Sequence, residues 1–413
     1  MFLTGTFVFY IIKVVVYMNI FMHIDVNNAF LSWTAVDMLK HGSKIDIRTI
    51  EAVIGGDETK RHGIVLAKSM VAKARGVKTA ETLRDARKKC KDLKIYPADY
   101  NLYVKMSRSF FKLIYSYTPD VEPLSIDECF IDYTKVRSLY GDPIKFAHKL
   151  KDEIKNTLGF TVNIGIANNK LCAKMASDFQ KPDRVHTLFD DEIVTKMYPL
   201  PIEDLYGCGK SSSSKLRELG INTIGELANA DYDFLHKYFK NQTRRLIDSA
   251  KGIDNSVIQT ERKAEESISN STTLGYNLTN LNQIYKVLLP LTENVCRQLR
   301  KLDKYANQVG VILKDKNFKT YSHQRRLKNG TNNTDEIYKV AKELVKELWD
   351  EEKIRLVGIA ISKFSSNLSH QMSLFEDIKE VENNSELDKA IDKLKSTYGS
   401  SIIVKAFSIK KDI

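Results

Sequence analysis

The sequence predicts a mixed α/β (α+β) fold divided among several domains, and three observations support this prediction. Apolar runs of strand length occur at 19–26, 123–132 and 160–167, and segments with helical spacing of apolar residues, such as 100–117, separate them. The chain of 413 residues is long enough for two to four domains. Hydrophobic residues make up 43% of it, which is enough to form buried cores.

The chain is basic, with 64 Lys and Arg against 52 Asp and Glu and a net charge of +12. This excess of positive charge favours a polyanionic partner, nucleic acid before a membrane. The five cysteines are scattered and form no Cys-x-x-Cys pair, so neither a disulfide framework nor a zinc site is predicted. Such cysteine usage is typical of the reducing cytoplasm, which is the location that we expect.

Residues 1–17 form an apolar and aromatic N-terminal extension whose single charge is Lys13. The extension lacks the basic start and the small-residue cleavage site of a signal peptide, and its apolar run continues towards Asp25. We therefore expect no stable membrane partner. A membrane tether is the alternative for this segment.

Acidic side chains occur at two of the apolar runs. Asp25 follows the run 20–24 and precedes an Asn-rich turn, whereas Asp127 and Glu128 lie inside the run 123–132. Burying adjacent carboxylates is costly unless a cation or hydrogen bonds compensate, so a solvated turn is one explanation. If the two strands pair, the three carboxylates form instead a cage of hard oxygen ligands suited to Mg²⁺ or Mn²⁺.

The stretches 25–30 and 125–130 resemble motifs of the Y-family translesion DNA polymerases, the UmuC/DinB-like group. The resemblance extends through most of residues 18–367. It implies a template-directed, low-fidelity DNA polymerase of lesion bypass, whose substrates are primer-template DNA and deoxynucleoside triphosphates. Members that this chain resembles begin near Met18, which favours an upstream start codon as the origin of residues 1–17.

This resemblance also implies the right-hand architecture of a polymerase. The expected parts, in chain order, are palm at 18–30 and 95–190, fingers at 31–94, a helical thumb at 191–255, a linker at 256–266, a little-finger domain at 267–367 and a tail at 368–413. The linker segment is polar and charged with few apolar anchors, which favours a tether between a catalytic part and a final domain.

In the family that this chain resembles, the acidic residues are catalytic metal ligands. Asp25 and Asp127 are expected to bridge two Mg²⁺ ions, with Mn²⁺ as the alternative metal. Glu128 then completes the ligands of one ion, and the backbone carbonyl of Val26 those of the other. Phe30 matches the aromatic residue that packs under the sugar of the incoming nucleotide and excludes a 2′-hydroxyl, although simple core packing would also explain it.

Two lysines match triphosphate-binding positions of the family. The segment 57–94 holds 12 Lys or Arg and 5 Asp or Glu, and Lys73 in it occupies such a position, with Met70 where some relatives have tyrosine. Lys174 occupies the second position, in a helix that is predicted to follow the strand 160–167 behind an Asn cap. A solvated helix face is the alternative for Lys174 and for Lys170, four residues earlier.

Residues 207–227 have the glycine turn, helix, glycine turn and second helix that are typical of a helix-hairpin-helix. Glycines let backbone N–H groups approach a phosphate at a helix N-terminus without obstruction by side chains. We expect sequence-independent contacts with DNA, and a purely structural turn is the alternative. The expected contact residues are Gly207, Gly209, Lys210 and Lys215.

The last part of the chain is predicted to be a small α/β domain followed by a tail. Residues 267–367 hold 17 Lys or Arg and 10 Asp or Glu. Strands are predicted at 308–313 and 354–361, and helices at 281–301 and 335–348. In the tail, Gln371, Leu374 and Phe375 resemble the peptide by which such polymerases dock on the sliding clamp. A helix and strand are also predicted at 387–407.

Two other functions are consistent with parts of the sequence. A nucleotide cyclase can use a related acidic sheet and two metal ions, but has no need of a helix-hairpin-helix or of two basic domains. A non-catalytic DNA-binding repair protein would explain the positive charge, but it would leave Asp25, Asp127 and Glu128 without a role.

Overall fold

The structure is a computed structural model that describes residues 19–57, 63–261, 264–366, 388, 390–399 and 402–403. The N-terminal extension 1–17 and the proposed clamp peptide lie outside these residues. By their contacts, the residues divide into two compact units, one within 1–56 and 64–262 and the other within 57–63 and 263–413. Among the described helices, none is both long and apolar enough to cross a lipid bilayer.

Strands and helices alternate along the described chain. The strands are β1 (Phe21–Val26), β2 (Ala52–Gly55), β3 (Val65–Lys68), β4 (Lys94–Pro97), β5 (Val121–Pro123), β6 (Glu128–Asp132), β7 (Val162–Ala167), β8 (Val185–Leu188), β9 (Ser267–Leu278), β10 (Tyr305–Asp315), β11 (Thr320–Thr331) and β12 (Ile354–Ser365). The α-helices are α1 (Ala29–Lys40), α2 (Met70–Ala74), α3 (Leu83–Lys89), α4 (Tyr100–Tyr115), α5 (Arg137–Tyr140), α6 (Pro143–Leu158), α7 (Lys170–Asp178), α8 (Lys210–Glu218), α9 (Ile224–Ala228), α10 (Tyr232–Phe239), α11 (Thr243–Ala250), α12 (Leu281–Lys301) and α13 (Thr334–Leu348).

The first unit is built on a five-stranded sheet with the order β5-β6-β1-β7-β8. β1 pairs antiparallel with both β6 and β7, and β7 pairs parallel with β8. Because side chains alternate across a strand, Met22, Ile24 and Val26 of β1 join the core formed with α4 and α6. His23 and Asp25 therefore belong to the opposite face, where α7 packs.

Gly165 of β7 permits α7 to lie unusually close to the sheet. A Cβ atom at this position would lie 2.0 Å from the carbonyl oxygen of Ala173 and 2.4 Å from the backbone nitrogen of Ser177. Neither backbone atom can move without displacing the helix. The glycine thus sets how near the side chains of α7 come to the acidic end of β1.

Two smaller groups of elements complete the first unit. The strands β3, β2 and β4 form a three-stranded sheet in that order, and α3 packs on it. The helices α8, α9 and α11 share a core with α7 and with Phe130 of the central sheet. Asn169 caps α7 as the sequence predicts, because its side chain accepts a hydrogen bond from the backbone N–H of Cys172 at 2.8 Å.

The prediction of one buried strand over 123–132 is wrong for its first half. β5 ends at Pro123 and β6 begins only at Glu128, and the residues between them form a turn. The backbone N–H groups of Leu124 and Ser125 both donate to the carbonyl oxygen of Glu128. Apolar composition misled the prediction, because the Leu124 side chain is exposed at this turn.

The second unit contains a four-stranded sheet with the order β11-β10-β12-β9, packed against α12 and α13. The bounds predicted for α12 agree with the structure, whereas β9 and β11 were not predicted. Both strands are rich in Ser, Thr, Asn and basic residues and expose much of their length, so they lack an apolar period. The guanidinium of Arg300 in α12 contacts Asp388 and Asp392, which fixes the helical residues 390–398 on this domain.

Candidate active site

Asp25 and Glu128 lie side by side on neighbouring strands. The antiparallel register of β1 and β6 sets the Cα atom of Asp25 opposite that of Glu128. The backbone N–H of Val26 donates to the carbonyl oxygen of Asp127 at 3.0 Å, so Asp127 lies at the same end of the sheet. The structure therefore brings together the three carboxylates that the sequence singled out.

Two lysine ammonium groups pair with two of these carboxylates, those of Asp25 and Glu128. Lys174 Nζ lies 2.6 Å from Glu128 Oε2 and 3.3 Å from Asp25 Oδ2, and Lys181 Nζ lies 2.7 Å from the same Asp25 oxygen. Burial by itself would lower the pKa of each lysine, but the charge of Asp25 and hydrogen bonds to carboxylates outweigh it, and both pKa values are raised. Both side chains therefore carry positive charge at neutral pH.

His23 supports Glu128 from within the protein. Its imidazole is fully buried. The Nε2 atom lies 3.3 Å from Glu128 Oε2, without the alignment of a regular hydrogen bond, and Nδ1 lies 2.8 Å from Ser177 Oγ. The interaction with His23, together with that of Lys174, outweighs burial and lowers the pKa of Glu128 to about 2. Glu128 is therefore ionised throughout the physiological range.

Asp127 has a different environment. The Ser125 hydroxyl donates to Asp127 Oδ1 at 2.5 Å. Burial raises the pKa of Asp127, and the negative charges of Asp25 and Glu128 act in the same direction. A cation bound between these carboxylates would relieve their mutual repulsion.

The donor atoms at this end of the sheet fit a divalent metal ion. His23, Asp25 and Glu128 offer ligand atoms that lie within 4.8 Å of one another. Asp127 and Val26 line the same cleft as Asp25. Carboxylate and carbonyl oxygens are the ligands that Mg²⁺ and Mn²⁺ prefer, and the two lysine ammonium groups already act as stand-in cations for these oxygens.

The cleft extends from Asp25 towards the three-stranded sheet. Its lining includes Lys68 of β3 and both Met70 and Lys73 of α2. Burial lowers the pKa of Lys68, and the nearby charge of Lys73 adds to this effect. A polyanion entering the cleft from solvent would thus meet positive charge on this side as well as from Lys174 and Lys181.

Phe30 lies at the start of α1, between Asp25 and the three-stranded sheet. Its side chain lines the cleft and is partly buried. The ring stacks on that of Tyr103, with centroids 4.4 Å apart and planes inclined by only 7°. Tyr103 is fully buried, so it holds the Phe30 ring in a fixed orientation beside the cleft.

The alternative of a solvated helix face for Lys170 and Lys174 is wrong. Both side chains are buried, because α7 lies close to the sheet and directs them at its carboxylates. Lys170 pairs with Glu122 at 2.7 Å, away from the acidic end of β1. Only Lys174 of this pair contacts Asp25 and Glu128.

Three residues that the structure places at the site have no role that the sequence predicted. His23 gave a usable signal, since it is two residues from Asp25 and therefore on the same face of β1. Lys68 lies in the basic segment 57–94 without any distinguishing neighbour. Lys181 follows α7 immediately before Pro182, but its approach to Asp25 depends on the tertiary structure.

The expected helix-hairpin-helix residues lie at the N-terminus of α8. Gly207 adopts a φ of +85°, which favours glycine, and Gly209 is the N-cap of the helix. Lys210 opens α8 and is exposed. Lys215 Nζ lies 3.0 Å from Glu218 Oε2 and 5.3 Å from the centre of the Tyr238 ring, so this side chain is already engaged within the protein.

The chain is similar to known proteins over most of its length. Residues 24–178 match the impB/mucB/samB family, and residues 265–374 match the C-terminal domain of the same family. The chain is 44% identical to DNA polymerase IV of Clostridium acetobutylicum over 95% of its own length and 99% of that protein. It is 30% identical to DNA polymerase IV 1 of Bacillus subtilis, over 95% and 94% of the two chains.

A solved structure shows the same fold. A chimeric Y-family DNA polymerase superposes with a TM-score of 0.72, covering 84% of this chain and 100% of the chimera at 24% identity.

Proposed function

Because the chain belongs to the impB/mucB/samB family of Y-family DNA polymerases, we propose that it is a template-directed DNA polymerase of lesion bypass. It adds deoxynucleotides to the 3′-end of a primer during DNA repair or damage tolerance in the cytoplasm. The observation that carries this proposal is the convergence of Asp25, Asp127 and Glu128 at one end of the central sheet, beside a cleft with lysines on both sides.

Asp25, Asp127, Glu128 and the carbonyl of Val26 are the proposed ligands of two Mg²⁺ ions, which Mn²⁺ can replace. Bound there, the ions would favour loss of the proton from the primer 3′-hydroxyl and balance the charge of the triphosphate and of the departing pyrophosphate. The protein contributes position and charge, and forms no covalent intermediate. The strand register that places Asp25 opposite Glu128 supports this assignment.

The remaining residues of the cleft orient the nucleotide. Lys73 and Lys174 bind the triphosphate by charge-assisted hydrogen bonds. The ring of Phe30, held by Tyr103, lies under the sugar and leaves no space for a 2′-hydroxyl. Exclusion of ribonucleotides then depends on the rigidity of this stacked pair.

The parts of the chain divide as in a polymerase hand. The proposed palm is 18–30 with 95–190, the fingers 31–94, the thumb 191–255, the linker 256–266 and the little finger 267–367. Gly207, Gly209, Lys210 and Lys215 of the thumb contact the phosphates of primer-template DNA. The proposed partner of Gln371, Leu374 and Phe375 in the tail is the sliding clamp.

Templated primer extension tests this function against both alternatives. The purified chain should lengthen a labelled primer with the nucleotides that the template specifies, on undamaged DNA and on DNA with a blocking lesion, only when Mg²⁺ or Mn²⁺ is present. A nucleotide cyclase would release cyclic nucleotide and leave the primer unchanged. A non-catalytic protein would bind the DNA without either product. The match of residues 265–374 to the family's C-terminal domain supports the polymerase over these alternatives.

A further inference from the structure

Lys181 lies between two carboxylates that belong to different parts of the site. Its Nζ atom is 2.7 Å from Asp25 Oδ2 and 2.8 Å from Asp178 Oδ1. Asp25 lies in the cleft with only 14% of its side chain exposed, whereas the side chain of Asp178, at the end of α7, is 49% exposed. The ammonium group thus bridges a buried metal-ligand candidate and a carboxylate nearer to solvent.

The oxygen that Lys181 contacts is already shared. Lys174 lies 3.3 Å from the same Asp25 Oδ2 while making its shorter contact, 2.6 Å, with Glu128. Two ammonium groups therefore partly neutralise the three acidic charges of Asp25, Asp127 and Glu128. Opposite charges at such distances in a partly buried site attract each other strongly. A divalent cation that binds Asp25 must therefore compete with Lys181 for this carboxylate.

We infer that Lys181 is a built-in counterion of Asp25, from which it must move before a divalent cation binds there. Asp178 is the second contact of the ammonium group, and Lys181 keeps this contact when it moves away from Asp25. This inference rests on the proposed function, because it concerns the same metal-binding carboxylates. It assigns to Lys181 a positioning role in the free protein: it keeps Asp25 neutralised and weakens the binding of metal without nucleotide.

The arrangement makes two predictions of opposite sign. Lys181→Met removes the competitor, so a divalent cation should bind more tightly. Asp178→Asn leaves Lys181 with Asp25 alone, so the cation should bind more weakly. The isosteric amide keeps the shape of Asp178 and the helix end at which it lies.

The test is a titration of the full-length chain with Mn²⁺, without DNA or nucleotide, in which electron paramagnetic resonance measures free Mn²⁺. We expect the affinity for Mn²⁺ to rise about five- to twentyfold in Lys181→Met, because the competing charge is removed, and to fall about threefold in Asp178→Asn. Lys73→Met is the matched control. It removes the same charge from the lining of the same cleft, and it should change the affinity less than twofold.

Several outcomes would overturn the inference. Equal tightening in Lys181→Met and Lys73→Met would show a general effect of charge, and an unchanged or weaker affinity in Lys181→Met would exclude competition. If Lys181→Met does not fold by circular dichroism, Asp178→Asn decides alone, and unchanged or tighter binding in it rejects the idea. Failure of the proposed function can be distinguished from failure of this inference, because the unaltered chain would then neither extend primers nor bind Mn²⁺ at this site.

Discussion

Glu128 of β6 is the register partner of Asp25 on the neighbouring strand β1, and a single ammonium group, that of Lys174, contacts both carboxylates. Antiparallel pairing produces this relationship, because it places the start of β6 beside the end of β1. A metal-binding role for the pair requires that their negative charge, rather than their shape, supports activity.

Removal of that charge should abolish catalysis without preventing DNA binding. In Asp127→Asn and in Glu128→Gln we expect primer extension to fall by about a thousandfold or more, since charge stabilisation is the principal contribution of the protein. Affinity for primer-template DNA, measured by fluorescence anisotropy, should change less than about threefold, because the proposed phosphate contacts are elsewhere. Extension at the normal rate in both variants would contradict the metal assignment.

Replacement of Phe30 should affect the choice of sugar. In Phe30→Ala the space beside the cleft opens. The ratio of kcat/KM for deoxynucleotides to kcat/KM for ribonucleotides should then fall by about tenfold or more, because a steric exclusion worth at least ~1.4 kcal/mol is lost. Tyr100→Ala is the control, because Tyr100 contacts the edge of the Phe30 ring and is largely exposed. Unchanged discrimination in Phe30→Ala would argue against contact with the sugar.

The N-terminus of α8 should contribute to DNA binding through charge. Lys210→Gln is expected to weaken DNA binding severalfold at low salt and to reduce the slope of log affinity against log salt by about 0.9, since one phosphate contact is lost. Lys196→Gln is a suitable comparison, because its ammonium group pairs with Glu192 at 2.5 Å. If both variants keep the slope of the original chain, α8 does not contact phosphate.

The tail peptide should act only through the sliding clamp. Replacement of both Leu374 and Phe375 with alanine is expected to leave extension by the isolated chain unchanged, while stimulation by a bacterial sliding clamp loaded on DNA is lost. Met372→Ala, within the same peptide, serves as the control, since Met372 is not one of the expected anchors. Equal stimulation of all three proteins would show that the peptide does not bind the clamp.

The cysteines should be unreactive in the folded protein. All five are buried, and burial raises the pKa of each, to about 12 for Cys172 and Cys296. The reactive thiolate forms only as pH rises towards the raised pKa, so at pH 8 a thiol reagent should label almost none of them. Unfolding in urea should make all five cysteines react with the reagent. Rapid labelling without denaturant would contradict the burial.

Several features of this protein follow from local sequence patterns alone. The bounds of α12 agree with prediction because 21 residues of helical period follow Asn280, whose side chain caps the helix. Asp25, Asp127 and Glu128 could be singled out because acidic residues are unexpected in apolar runs. The strands β9 and β11 escaped prediction, since their polar residues are held in a sheet by backbone hydrogen bonds that leave no apolar period.

Local patterns in the sequence therefore indicate which residues could bear the chemistry and where most of the helices and buried strands lie. Tertiary contacts are needed to place Asp25 opposite Glu128, His23 beside Glu128 and Lys181 beside Asp25. Periodicity is a property of neighbouring residues, whereas these contacts join residues distant in the chain. They depend on strand register and on the close approach of α7 that Gly165 permits, and both are set by the packing of the whole domain.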